Sequence, residues 1–258
     1  MQILTSISIF IMLVAGSRSF ADKMTYFGDS QSACEGCLFS NLQSTLESKG
    51  TLASTRAVCS STIGDYLSST SVNGRCTYDG VTYLDFKEGK PIFLSGPGRT
   101  DNVNKLSEKS DIVVVQLGDN HLSNPKAGAE AAIKLANMIS SSDKKCIWIG
   151  PAAVPSQIHC EIKKSDGSLK IIDKDCTQFR EKKKAISEAF KTALAKTSCT
   201  FVDSYFFTER APPESCDCLH FKSGQSGYVK WANAIRLQLT TALSRGQKSG
   251  RSDVNATQ

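Results

Sequence analysis

Five short apolar runs, most of them followed by a turn and an amphipathic helix, constrain this chain more than any other feature. Met24 to Phe27, Leu52 to Val58, Ile112 to Val115, Cys146 to Ile149 and Thr200 to Val202 read as strands. Ile112 to Val115 is an unbroken β-branched run, the pattern of a strand buried on both faces. Ala33, Cys37, Leu38, Leu42 and Leu46 recur at helical spacing until Gly50, and a second helix runs from Lys126 to Ser140 behind Pro125, with Ala129, Ala132, Ile133, Ala136 and Ile139 on one side. Gln178 to Thr197 is amphipathic, with Phe179, Ile186, Phe190 and Leu194 inward and Arg180 and Lys182 to Lys184 outward. Tyr228, Trp231, Ala232, Ile235 and Leu239 mark a last helix. Strands alternating with helices predict an α/β fold whose parallel sheet is covered on both faces through right-handed crossovers.

Two segments interrupt this rhythm. About 50 residues separate the second and third strands, a length unusual for a plain connection. They carry a hairpin signal at Asp79-Gly80, flanked by Tyr78, Val81 and Tyr83, and a turn at Gly96-Pro97-Gly98. Pro155 to Cys176 is polar and basic and reads as a loop. The segment from residue 244 to 258 is rich in Gly, Ser, Arg and Asn and reads as a disordered tail, with a glycosylation acceptor pattern at Asn255-Ala256-Thr257.

The amino terminus reads as an export signal over residues 1–21. Ile3 to Ala15 is too short for a bilayer span of about 20 residues, and it is followed by Ser19-Phe20-Ala21, a small-residue cleavage pattern. The alternative, an uncleaved anchor, stays open because Met1 and Gln2 bring no basic side chain. Cutting after Ala21 keeps all 10 cysteines, and thiols passing into an oxidising compartment favour disulfides. With 40% hydrophobic and 22% charged residues, the remainder is expected to form one globular domain over residues 22–243. The formal charge of +6 comes without aromatic interleaving, so no nucleic-acid partner is expected. Lys163, Lys164 and Lys182 to Lys184 read as solvated, and no second hydrophobic span follows.

Three histidines are available for proton transfer near neutral pH: His121, His159 and His220. His220 closes Asp217-Cys218-Leu219-His220, between the fifth strand and the last helix. A carboxylate three residues before an imidazole can orient it and stabilise its charged form. Ser30, in Gly28-Asp29-Ser30, follows the first strand and is placed to open a helix, whose free N–H groups would favour developing negative charge. Asn120, in Gly118-Asp119-Asn120, follows the most buried strand, where its side chain could donate to an oxyanion. The Cys59-Ser60-Ser61 turn follows the second strand. In a parallel sheet all four segments emerge at one edge, the edge at which such sheets bind ligands. No GxSxG elbow is present, which argues against the usual α/β-hydrolase arrangement.

Gly28-Asp29-Ser30, Gly118-Asp119-Asn120 and Asp217-x-x-His220-Phe221 together resemble, in order and spacing, the motif blocks of the SGNH, or GDSL, serine hydrolases, over nearly the whole mature chain. The resemblance implies a three-layer α/β/α sandwich with a five-stranded parallel sheet in flavodoxin-like order. It implies ester hydrolysis through an acyl-enzyme, with no metal and no cofactor. It makes Ser30 the nucleophile, His220 the general base and then acid, and Asp217 its orienting partner. The oxyanion donors would be the backbone N–H of Ser30, the side chain of Asn120 and the backbone N–H of Ser60.

Ser60 stands where the family usually has Gly, Cys218 where Gly is frequent after the acid, and His121 where many members carry Asp after the Asn. His121 is either a substrate contact or a polar cap on its turn. Cys34 and Cys37 lie just beyond Ser30, and Cys216 and Cys218 bracket Asp217. Disulfides between the two pairs are the first expectation, with a four-thiolate zinc site and a redox-active Cys34-x-x-Cys37 as alternatives. Cys59 and Cys76 could close one loop. The function expected is that of a secreted or periplasmic serine esterase acting on small acyl esters, such as O-acetyl groups of extracellular or cell-wall polysaccharide. Lysophospholipids or acyl thioesters are the alternative substrates, and a scaffold that binds glycan or protein without turnover is the non-enzymatic alternative.

Overall fold

The computed structural model describes residues 22–68, 73–74, 81–96, 98–163 and 166–245. The export signal, Asp79-Gly80, Pro97, Cys76 and Asn255 lie outside the described residues. In chain order the elements are β1 (Lys23–Gly28), α1 (Leu38–Glu47), β2 (Thr51–Val58), α2 (Ile63–Leu67), β3 (Asn73–Gly74), β4 (Val81–Lys87), β5 (Lys90–Ser95), β6 (Gly98–Arg99), α3 (Val103–Leu106) and β7 (Ile112–Gln116). They continue with α4 (Pro125–Ser140), β8 (Lys145–Ile149), β9 (Gln157–Lys163), β10 (Leu169–Asp175), α5 (Thr177–Leu194), β11 (Thr200–Val202), α6 (Ser204–Thr208) and α7 (Tyr228–Ser244).

The main sheet has the strand order β11-β8-β7-β1-β2-β4-β5. The first five strands in that list pair in parallel, in flavodoxin-like order, and β4 and β5 extend the β2 edge as an antiparallel hairpin. The sheet is buried on both sides because alternate residues of one strand enter different cores. Met24, Tyr26, Ile112, Val114, Ile147 and Ile149 pack with Leu38, Leu42, Trp231 and Ile235 of α1 and α7. Phe27, Val113, Val115 and Trp148 pack with Leu135, Ile139, Ile186 and Phe190 of α4 and α5. These two cores make the three layers of an α/β/α sandwich. The helix α4 starts where local chemistry allows it: the Asn124 side chain accepts from the Ala127 amide at 3.1 Å, and Pro125 occupies the first turn.

The long insertion between β2 and β7 contains a hairpin that turns at Glu88-Gly89, where both residues have positive φ (53° and 79°), as a two-residue type I′ hairpin requires. Three expectations change. The segment expected as a loop over Pro155 to Cys176 is largely the hairpin β9–β10, paired from Gln157 with Asp175 to Lys163 with Leu169. Its alternation, Ile158 and Cys160 against Gln157, His159 and Glu161, is the period of a strand with one covered face. Lys183 is not outward: it is fully buried, while Lys182 and Lys184 are exposed. The cysteine pairs near Ser30 and Asp217 are not joined to each other. Cys34 bonds Cys37, Cys160 bonds Cys216 and Cys176 bonds Cys218.

A further disulfide joins Cys146 to Cys199, and Cys59 is disulfide-bonded as well. No helix among the described residues is long and apolar enough to cross a membrane. The disulfides are consistent with an extracellular protein.

Candidate active site

The strands β1 and β7 lie side by side at the centre of the sheet, and the chain leaves them toward opposite edges, to β2 and to β8. At such a switch point a parallel sheet opens a crevice beyond its carboxyl ends. Two glycines let the chain turn tightly there. A Cβ on Gly28 would lie 2.9 Å from the Gln116 side chain and 3.0 Å from its carbonyl oxygen. Gly118 has φ of +150°, and a Cβ on it would meet the Phe190 ring at 2.9 Å.

The turn after β1 is braced from below. Asp29 is buried, and its Oδ1 accepts from the Gln31 amide at 3.0 Å and from the Gln116 side chain at 3.1 Å. The segment from residue 29 to 37 consists of turns and bends, and α1 begins only at Leu38. Ser30 therefore does not open the helix, and the helix-terminus contribution expected for it is absent.

The Ser30 hydroxyl lies 3.0 Å from His220 Nε2, across 190 positions of sequence. His220 Nδ1 is 2.9 Å from Asp217 Oδ2. Asp217 Oδ1 accepts from the backbone N–H groups of Leu219 (2.8 Å) and His220 (2.7 Å), so both carboxylate oxygens are engaged. Burial works against its charge, but the hydrogen bonds from the His220 ring and the two amides outweigh it and hold the Asp217 carboxyl down at about 2. Below it the Ser215 hydroxyl accepts from the Cys218 and Asp217 amides at 3.0 and 3.3 Å, and a single bridge from Ser215 to Phe221 closes the loop. Cys218 has a left-handed φ of +70° and is tied to Cys176 at the start of α5, while Cys216 is tied to Cys160 in β9. Asp217 and His220 thus sit on a short loop clamped covalently at two points.

Asn120 lies in a 3-10 turn after β7, and its Nδ2 donates to the Ser61 carbonyl at 2.7 Å, which draws the turns after β7 and β2 together. That amide nitrogen carries a second N–H. Ser60 has φ of +61°, the left-handed backbone a glycine adopts readily. His121 Nε2 accepts from the Ile63 amide at 3.3 Å and so caps α2, which requires the neutral ring with its proton on Nδ1. Partial burial lowers its pKa, against an opposing pull from Asp65. The bond goes to α2 and not to the turn that carries His121. His159, on β9, pairs with Asp173 at 2.7 Å on an exposed hairpin face.

Neither a family model nor a curated protein matches the sequence. Solved structures do match its fold. A protein from Slackia heliotrinireducens described as an SGNH hydrolase superposes with a TM-score of 0.52 at 12% identity, over 87% of this chain and 100% of its own. The fold is that of the SGNH hydrolases. A lipase/acylhydrolase from Enterococcus faecalis matches with a TM-score of 0.50 at 18% identity, over 85% of this chain and 96% of its own. A protein from Bacteroides fragilis described as an acylhydrolase matches with a TM-score of 0.50 at 12% identity, over 87% of each chain. Within this SGNH fold, sequence reasoning missed Gln31, Ser215 and Lys183. Ser215 and Gln31 carry no pattern of their own. Lys183 does, because it falls four residues after Phe179 and three before Ile186 on the inner stripe of α5.

Proposed function

We propose that this protein is an exported serine esterase that hydrolyses small acyl esters through an acyl-enzyme. The observation that carries the reading is the continuous contact from Ser30 Oγ to His220 Nε2 and from His220 Nδ1 to Asp217. In that geometry His220 takes the Ser30 proton as the oxygen attacks the ester carbonyl. Asp217, ionised well below neutral pH, stabilises the imidazolium that results. The oxyanion is met by the Ser30 amide, the second N–H of Asn120 and the Ser60 amide, whose left-handed backbone supports a glycine-like donor in spite of the side chain. Collapse of the adduct expels the alcohol, which takes the proton back from His220 Nε2. Water then gives a proton to His220 as its oxygen bonds the acyl carbon, and collapse of that adduct breaks the bond to Ser30 Oγ, which takes the proton back from His220 Nε2 as the acid leaves.

Export and the disulfides direct the substrate reading to esters met outside the cell, with O-acetyl groups on polysaccharide as the first choice. A fluorophosphonate probe is expected to label the wild type and leave Ser30→Ala unlabelled. A folded wild type that takes up no probe would leave the non-catalytic glycan- or protein-binding scaffold as the better account. A series of p-nitrophenyl esters of increasing chain length, run beside acetylated glycans, separates acetyl esters from lysophospholipid or thioester substrates. Turnover that rises with acyl length would overturn the acetyl assignment.

A further inference from the structure

α5 places a lysine where an amphipathic helix ordinarily places an aliphatic residue. Lys183 is fully buried, on the stripe that also carries Ile186 and Phe190. Its Nζ lies 3.0 Å from Asp119 Oδ1, an ion pair with both side chains buried. It donates to the Leu219 carbonyl at 3.1 Å and lies 4.9 Å from the centre of the Phe221 ring. The same carbonyl accepts from the Gln31 side chain at 3.0 Å, and Gln31 in turn accepts from the Tyr228 hydroxyl at 3.0 Å.

These contacts join three separate stretches of chain. Asp119 belongs to the turn that carries Asn120, Gln31 follows Ser30, and Leu219 immediately precedes His220. A buried ion pair is weak ground for stability, because desolvation consumes most of the attraction and apolar residues of similar size often do as well. A lysine retained at a core position, with one bond to the peptide before the general base, is explained better by placement than by stability. With two buried carboxylates nearby, Asp29 and Asp119, the ammonium is also the charge that lets both turns approach the acid–base loop in a dry interior.

We propose that Lys183 is a positioning residue: by holding the Leu219 carbonyl against the two turns that carry Ser30 and Asn120, it sets the His220 imidazole at hydrogen-bonding distance from Ser30. The proposal rests on the esterase reading, and its test separates the two. Lys183→Met removes the charge at similar volume but leaves Asp119 uncompensated, so the variant to compare is Lys183→Met with Asp119→Asn, which removes both charges of the ion pair and is assayed below pH 7, where Asp29 is largely protonated. The double variant is expected to unfold within a few degrees of the wild type. Its kcat on p-nitrophenyl acetate is expected to fall about tenfold or more with KM within twofold, since small misplacements of a catalytic group carry losses of this order. The downfield imidazole N–H resonance of the His220–Asp217 pair is expected to shift or broaden with it.

A double variant that regains both the melting temperature and the wild-type kcat overturns the proposal, because a structural role alone predicts that recovery. A Lys183→Met single variant with wild-type kcat overturns it as well. If the wild type neither turns over esters nor takes up fluorophosphonate, the esterase reading fails by itself. The imidazole resonance then decides the placement: a change in the double variant supports it, and an unchanged signal overturns it.

Discussion

At the scale of single residues, the site is governed by which polar atoms are engaged and which remain available. Asn120 spends one N–H on the Ser61 carbonyl at 2.7 Å and keeps the other. Asn120→Ala is therefore expected to lower kcat by roughly 10² to 10³-fold, the loss typical of one oxyanion donor, with the protein still folded. Steady-state kinetics on a p-nitrophenyl ester checks this, and an unchanged kcat removes Asn120 from the oxyanion site. Asp29 carries the opposite kind of cost. Burial, and after it the Asp119 carboxylate, raise its pKa to about 7. Between the ordinary carboxylate value near 4 and that raised value, the folded state binds more protons than the unfolded state. Stability attributable to Asp29 is therefore present at acid pH, falls as pH rises from about 4 to about 7, and levels off above. Asp29→Asn is expected to flatten this slope, so that the variant gains on the wild type toward pH 8 by on the order of 5 °C in unfolding midpoint. Midpoints that run parallel across that range would show that the charge is compensated.

At the scale of elements, two disulfides decide how firmly Asp217 and His220 are held. Cys176 and Cys218 are 42 positions apart in sequence, Cys146 and Cys199 are 53 apart, and Cys160 and Cys216 are 56 apart. By chain entropy each removes about 4 kcal/mol of freedom from the unfolded chain, so stability alone does not distinguish them. Position does. Cys218 lies between Asp217 and His220, whereas Cys146 and Cys199 sit near the amino-terminal ends of β8 and β11, at the opposite edge of the sheet. Replacing Cys176 and Cys218 by Ser is expected to lower kcat several-fold more than replacing Cys146 and Cys199, for a similar fall in melting temperature. Equal losses in kcat would mean that the clamp serves the fold and not the site. Little of this clamp was legible in sequence. An even number of cysteines and an export signal point to disulfides, but partners depend on which loops meet in space, and the sequence of the hairpin β9–β10 that supplies Cys160 reads as a loop. That hairpin's alternation was visible at Ile158 and Cys160; its charged, exposed second face obscured it.

At the scale of the whole molecule, the periodicity of apolar residues determined the layers. Val113 and Val115 on one side and Ile112 and Val114 on the other had to be covered by two sets of helices, and that requirement needs no knowledge of the partners. The strand-ending motifs at Ser30, Asn120 and Asp217 to His220 likewise had to emerge at one edge, because parallel strands share a direction. What one-dimensional patterns do not encode is the distance between those ends. Only the packed sheet and helices bring His220 Nε2 to 3.0 Å from Ser30, start α1 late enough to leave Ser30 in a turn, and take Lys183 out of water. Local sequence dictates the face on which a side chain leaves the backbone; which face is dry, and which atoms meet there, follows from the close packing of segments distant in the chain.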